Sequence, residues 1–255
     1  MVKGDWPLSS SQYVQAAVKN VEAWLSKEEN SRWKLPRKAT TPISPTYRPE
    51  LDVSPELDSR NASYYQSLIG VLRWMVELGR VDICLEVSMM SSHLALPREG
   101  HLEQVLHIFA HLKAHHNTEL VYDPSDPVVD EAKFESRDWT SSEFGHIDGK
   151  EELPPNMPEL RGRGFVMRAK VDADHAGDSV SRRSRTGFLV WLNCSLVHWF
   201  SKKQNSVESS SFGSEFIAMK QCCEYLQGLW YKLRMMGIPV DGPAHIYIEV
   251  LANTT

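Results

Sequence analysis

The stretch Lys170-Val-Asp-Ala-Asp-His-Ala-Gly177 decides the fold of this chain of 255 residues. Just before it, residues 165–171 alternate between apolar and polar or small side chains, which is the period of a half-buried strand. Asp172 and Asp174 are two residues apart, so they point to the same face of that strand. The pattern therefore predicts a strand that delivers two carboxylates to its C-terminal end.

Two further strand-like runs follow at residues 186–192 and 195–200, joined by a turn around Asn193. A helix carrying Glu215 near its start comes next, and residues 245–249 have the composition of another strand. Because short turns join antiparallel neighbours, this order predicts a mixed sheet packed with helices. The C-terminal part of the chain is thus predicted to be an α/β unit.

Four motifs in this unit resemble the successive signatures of Ty1/copia retrotransposon Pol polyproteins. They are Asp172-Ala-Asp-His-Ala-Gly177, Arg182-Arg-Ser-Arg-Thr-Gly-Phe188, Trp199-Phe-Ser-Lys-Lys-Gln204 and Ser211-Phe-Gly-Ser-Glu-Phe-Ile-Ala218. The resemblance implies a ribonuclease H-like α/β unit, and the order of strands and helix is that of the ribonuclease H fold. It also implies that the unit is truncated, because the family's last strand and helix would follow Thr255.

The resemblance assigns Asp172 and Glu215 as catalytic acids and metal ligands. The implied activity is cleavage of the RNA strand in RNA–DNA hybrids, in which carboxylates hold two divalent ions about 3.5–4 Å apart. Magnesium suits such an oxygen-only site, and manganese is an alternative. Asp174 is either a further metal contact or a supporting acid. A glutamate in the first turn of a helix also suits the helix dipole, which is the structural alternative for Glu215.

The third acid of the family is where the resemblance fails. The family has Asp-Asn at the end of its fourth strand, whereas His245 to Asn253 contains no such pair and offers only Glu249. Glu249 is either a metal ligand, displaced by one extra methylene, or a solvent-facing strand residue. The fourth acid would follow Thr255. We therefore expect a catalytically impaired unit, with a non-catalytic remnant that binds nucleic acid or another Pol segment as the alternative.

The net charge of −5 and the isoelectric point of about 6.1 argue against a chain that is basic throughout. The C-terminal unit is nevertheless locally basic. Its candidate phosphate contacts to an RNA–DNA hybrid are Arg182, Arg183, Lys202 and Lys203. The alternative for these four side chains is a solvated charged loop. Recognition of a hybrid would use duplex shape and 2′-hydroxyls rather than base sequence.

The chain is predicted to contain five segments. The resemblance implies that the helical segments belong to the end of a reverse transcriptase and to its connection with ribonuclease H. The paired-aspartate motif of the polymerase is absent from the sequence. Pro-rich composition predicts extended linkers between them. The segments are a helical remnant at 1–33, a Pro-rich linker at 34–61, a helical connection at 62–116, an acidic Pro-rich linker at 117–160 and the ribonuclease H-like unit at 161–255.

His107, His111 and His115 recur at helical spacing on one face of a predicted helix. Histidines four residues apart can bind zinc, which would suit an unrelated metal-dependent hydrolase. No nearby cysteine or well-placed carboxylate completes such a site, so a polar or phosphate-facing helix surface is the preferred interpretation.

The sequence shows no apolar run of about 20 residues and no secretory signal pattern, so we expect no membrane partner. The four cysteines have neither disulfide-framework nor zinc spacing, which is typical of a reducing compartment. An intracellular protein, cytoplasmic or nuclear, is therefore expected.

Overall fold

The computed structural model describes residues 6–130 and 155–248. The first range contains four α-helices and two short strands: β1 (Trp6–Ser9), α1 (Ser11–Leu25), α2 (Ser59–Glu77), α3 (Cys84–Ser91), α4 (Glu99–Ala114) and β2 (Glu119–Tyr122). The second range contains four strands and one helix: β3 (Met167–Asp174), β4 (Arg185–Leu192), β5 (Ser195–Lys203), α5 (Ser211–Met235) and β6 (His245–Ile248). No helix in these two ranges is both long and apolar enough to cross a bilayer.

The four N-terminal helices share one apolar core. Helix α1 contributes the stripe of valines that its sequence period predicts, and α4 is buried along most of its length. Helix α2 begins at a true cap, because the Asp58 carboxylate accepts the Asn61 amide hydrogen at 2.9 Å. The hydroxyl of the fully buried Tyr65 donates to the Met90 carbonyl at 2.7 Å, which ties α2 to α3.

The Pro-rich segment after α1 packs onto this core, and the histidines of α4 hold it there. The imidazole of His107 donates to the Thr41 carbonyl at 3.1 Å, and that of His111 to the Ala39 carbonyl at 3.2 Å. Both rings therefore bind backbone oxygens, and His111 also lies 3.6 Å from the Asp82 carboxylate. Within the described residues, no group of three or more His, Cys, Asp or Glu side chains could hold a metal ion.

The C-terminal sheet is mixed, with strand order β5-β4-β3-β6. Strands β3, β4 and β5 form antiparallel pairs, whereas β6 runs parallel to β3. Helix α5 packs on one face through Ala218, Cys222 and Leu226, against alternate residues of β3 and β4. The predicted mixed α/β unit is thus confirmed.

The helical core packs on the opposite face of the sheet. The Trp199 indole of β5 donates to the Val76 carbonyl at 3.1 Å, and the Ser88 hydroxyl of α3 donates to the Ser201 carbonyl at 2.7 Å. Strands β1 and β2 form a separate antiparallel pair that the sequence did not predict. The division into five segments stays a prediction, and residues 131–154 of the acidic linker lie outside the described ranges.

The β4–β5 turn depends on Asn193, a buried residue in the left-handed conformation with φ of 54°. Its side chain accepts the Val166 amide hydrogen at 2.9 Å and donates to the Pro124 carbonyl at 3.3 Å. Asparagine tolerates this conformation better than residues with a larger apolar side chain do. The turn therefore connects the β4–β5 hairpin to two other parts of the chain.

We expect Asn193→Ala to lower the free energy of unfolding by about 2–3 kcal/mol. The loss arises because alanine is strained in the left-handed backbone conformation and because two hydrogen bonds of ~1 kcal/mol each are lost. Urea unfolding measures this. Asn156→Ala is the matched control, because Asn156 is exposed with φ of 67°, so that only the strain of about 1 kcal/mol applies. Equal losses at the two positions would contradict the role assigned to the Asn193 side chain.

Candidate active site

The candidate site lies on the sheet face opposite α5, which we call the Asp172 face. The pleat alternates side chains between the two faces, so that Ala169, Val171 and Ala173 pack on α5 while the residues between them point the other way. The strand register arranges the Asp172 face in three cross-strand rows: Lys170–Leu189–Trp199, Asp172–Gly187–Ser201 and Asp174–Arg185–Lys203.

A cleft of about 1290 Å³ opens between the Asp172 face and the helical core. Its helical wall consists of Val81, Cys84 and Leu85, and the first turn of α5 brings Phe212 and Glu215 to its edge. In the middle row Gly187 stands beside Asp172, and a Cβ there would meet only backbone oxygens at 3.9 and 4.0 Å. The absence of a side chain at Gly187 therefore leaves space next to the Asp172 carboxylate.

Asp172 and Glu215 converge on the backbone amide of Ala173. The Asp172 carboxylate accepts this amide hydrogen at 2.9 Å. Burial raises the pKa of Glu215, and the nearby Asp172 carboxylate raises it further, while hydrogen bonding to the Ala173 amide opposes both effects. The Oε2 atom of Glu215 is buried without a hydrogen-bond partner. Asp172 at the end of β3 and Glu215 at the start of α5 are thus close enough to interact electrostatically, and Glu215 has an unsatisfied oxygen.

A buried amide side chain fixes the position of Glu215. Gln204 donates to the Thr186 hydroxyl at 3.1 Å and to the Ser214 carbonyl at 2.9 Å. Thr186 is the register partner of Ala173, and Ser214 precedes Glu215 in the chain. The first turn of α5 is therefore tied to the sheet at the level of Asp172. Ser210 caps the same helix by accepting the Gly213 amide hydrogen at 3.1 Å.

The other predicted acids have different surroundings. The carboxylate of Asp174 lies against Gly177, where a Cβ would require this carboxylate to move. Asp174 is thus folded over its own turn. Glu249 lies outside the described residues.

The predicted basic contacts divide into two groups. Arg182, Arg183 and Lys202 are exposed to solvent, as a phosphate contact or a solvated loop requires. Lys203 is engaged instead, because its ammonium group pairs with Asp178 at 2.5 Å. The sequence interpretation missed Arg185, which lines the cleft in the row next to Asp172. The available signal was its two-residue spacing from Gly187, which places both residues on one face of β4.

The donor set fits an oxygen-preferring cation. Carboxylate oxygens are the ligands of Mg²⁺, and the unpartnered Oε2 of Glu215 has the free lone pairs that such an ion needs. Asp172 and Glu215 would be the protein ligands. Among the described residues, no third His, Cys, Asp or Glu joins this pair in a group that could hold a metal ion.

Comparison with known proteins shows that the chain is similar to polyproteins of transposons. It is 23% identical over 215 residues to the "Retrovirus-related Pol polyprotein from transposon RE1" of Arabidopsis thaliana, covering 84% of this chain and 12% of that protein. The match to the corresponding polyprotein from transposon TNT 1-94 of Nicotiana tabacum is 26% over 168 residues, or 66% of this chain and 10% of the relative. Several relatives of this chain are copia-type Pol polyproteins.

The resemblance to copia-type sequences is thereby confirmed, and the chain spans only a small part of these polyproteins. A different relative, the "Secreted RxLR effector protein 161" of Plasmopara viticola, is 24% identical over 170 residues that make up 67% of this chain and 92% of that protein. No family model matches the chain, and no solved structure matches it significantly.

The raised pKa of Glu215 predicts a pH-dependent effect of neutralising this side chain. Because the folded-state pKa of Glu215 lies above the ordinary 4.5, the folded state binds this proton more tightly than the unfolded state does. The contribution of Glu215 to the free energy of unfolding is therefore fully present below pH 4.5 and is lost as pH rises through the folded-state pKa. We therefore expect metal-free Glu215→Gln to melt at a higher temperature than the unmodified chain at pH 7, with no such difference at pH 4. Thermal unfolding at both pH values measures this.

The control is Glu224→Gln, an exposed glutamate on the same helix, whose effect should not follow this pH pattern. A Glu215→Gln protein that is less stable than the unmodified chain at pH 7 would contradict the unfavourable burial inferred for this carboxylate.

Proposed function

We propose that residues 161–248 are part of a ribonuclease H-type unit of a copia-type Pol polyprotein, acting on the RNA strand of RNA–DNA hybrids. The observation that carries the proposal is the convergence of Asp172 and Glu215 on the Ala173 amide at one end of a large cleft. The strand order β5-β4-β3-β6, with only β6 parallel to its neighbour, supports it because it is the order that the ribonuclease H fold requires.

Asp172 and Glu215 would hold Mg²⁺, with Mn²⁺ as its substitute. A bound ion of this kind activates water or stabilises the leaving oxygen of a phosphodiester. The chain itself positions the two acids. Asp172 lies at the end of β3, and the hydrogen bonds of the Gln204 side chain hold Glu215 near it. Cation binding would also relieve the unfavourable burial of the Glu215 carboxylate, because the ion replaces the lost hydration of Oε2.

A non-catalytic, hybrid-binding unit is the second candidate. It is supported by the lack, among the described residues, of any group of three or more His, Cys, Asp or Glu side chains that could hold a metal ion, because two carboxylates are too few to hold two divalent ions close together. A site that holds one ion instead of two would leave either the attacking oxygen or the leaving oxygen without stabilisation. We therefore expect the hydrolysis of a hybrid by this chain to be slow, while the binding of one Mg²⁺ and of the hybrid persists.

Calorimetric titration with Mg²⁺ and cleavage of a labelled RNA–DNA hybrid test these proposals together. We expect one ion to bind per chain, and this binding to be lost in Asp172→Asn and in Glu215→Gln but kept in the control Glu224→Gln. Rapid cleavage that disappears in Asp172→Asn would support the nuclease and refute the expected impairment. Hybrid binding with no cleavage in either metal would favour the second candidate, and absence of both metal and hybrid binding would refute the proposal.

A further inference from the structure

Arg185 occupies the centre of the row next to Asp172, between Asp174 on β3 and Lys203 on β5. Its guanidinium lines the cleft and is partly buried. Helix α3 fixes its orientation, because Nη1 donates to the Ser88 hydroxyl at 2.7 Å and this hydroxyl donates in turn to the Ser201 carbonyl at 2.7 Å. The positive charge is thus held in place inside the cleft before any ligand arrives.

The charge of Arg185 has no direct counter-ion among the described residues. No carboxylate there lies within ion-pair distance of it, and the neighbouring Lys203 takes the carboxylate of Asp178 at 2.5 Å. Burial lowers the pKa of Arg185, and the more distant Asp174 and Asp178 carboxylates oppose this. A partly desolvated cation is unfavourable unless it gains a strong partner. An anionic ligand in the cleft would provide one.

We propose that Arg185 binds a backbone phosphate of the RNA–DNA hybrid, next to the phosphate that faces Asp172 and Glu215. This inference rests on the proposed function. The two rows are two residues apart along β4, which is roughly 6–7 Å, so Arg185 reaches a neighbouring phosphate rather than the one at the carboxylates. The planar guanidinium grips phosphate oxygens in pairs. Such a contact positions the strand and does not depend on base sequence.

The alternative for Arg185 is a purely structural tie between the sheet and α3. The two roles differ in their response to salt. Each phosphate contact releases counter-ions, so that the logarithm of the binding constant falls with the logarithm of salt concentration by about 0.9 per contact on a duplex. A structural tie changes the stability of the fold and leaves this slope unchanged.

The test is fluorescence anisotropy of a labelled RNA–DNA hybrid without divalent metal, over a range of KCl concentrations. We expect Arg185→Gln to weaken binding by about tenfold and to reduce the salt slope by about 1, equally for hybrids of different sequence. Lys19→Gln, which makes the same charge change at an exposed position of α1, should leave both quantities unchanged. Ser88→Ala removes the tie but keeps the guanidinium, so its slope should equal that of the unmodified chain.

A second measurement needs no variant. Phenylglyoxal modification of Arg185 in the unmodified chain, followed by peptide mass spectrometry, should decrease when the hybrid is bound. This inference would be overturned if the unmodified chain binds the hybrid, the salt slope of Arg185→Gln is unchanged, and the hybrid does not protect Arg185 from modification. The proposed function would then remain intact. If the unmodified chain does not bind the hybrid at all, the proposed function and this inference both fail.

Discussion

The hydrogen bonds of the Gln204 amide are the constraint on which the candidate site depends. Gln204 extends from the end of β5 and is 1% exposed, so its donor atoms have no access to bulk water. They join Thr186 in the sheet to Ser214 in the helix, and both of these residues are fully buried. An amide left unpaired at this depth costs roughly 1–3 kcal/mol. These bonds therefore tie the start of α5, and Glu215 with it, to β4 beside β3.

This geometry explains which parts of the site could be predicted from sequence. The alternation along β3 and the two-residue spacing of its aspartates are local properties, and they predict the strand and the face of Asp172 without knowledge of its partners. Gln204 belongs to a quoted motif, yet its role depends on contacts with Thr186 and Ser214, which only the pairing of β4 with β5 creates. Arg185 was missed for a related reason, because the cleft that it lines also contains residues from another part of the chain.

Long-range pairing also limited the prediction of the N-terminal region. The periodic apolar faces of α1 and α4 predict helices, but nothing local indicates that the Pro-rich segment lies along α4. His107 and His111 provide the missing link by donating to backbone carbonyls that an extended segment cannot satisfy internally. Their helical spacing resembled a zinc site because both roles require imidazoles on one helix face. Strands β1 and β2 pair across about 110 residues, as in Leu8 with Leu120, which no short-range pattern encodes.

The helical core completes the site as well as packing beside it. Ser88 orients Arg185, and Val81, Cys84 and Leu85 form the wall opposite Asp172. The cleft consequently combines an apolar wall, a fixed cation and a pair of carboxylates with an unsatisfied oxygen. A carboxylate pair of this kind is unfavourable in the free protein, since each charge raises the energy of the other and burial removes hydration. A bound cation would turn that same repulsion into shared coordination, so the proposed Mg²⁺ site would account for the unfavourable placement of Glu215.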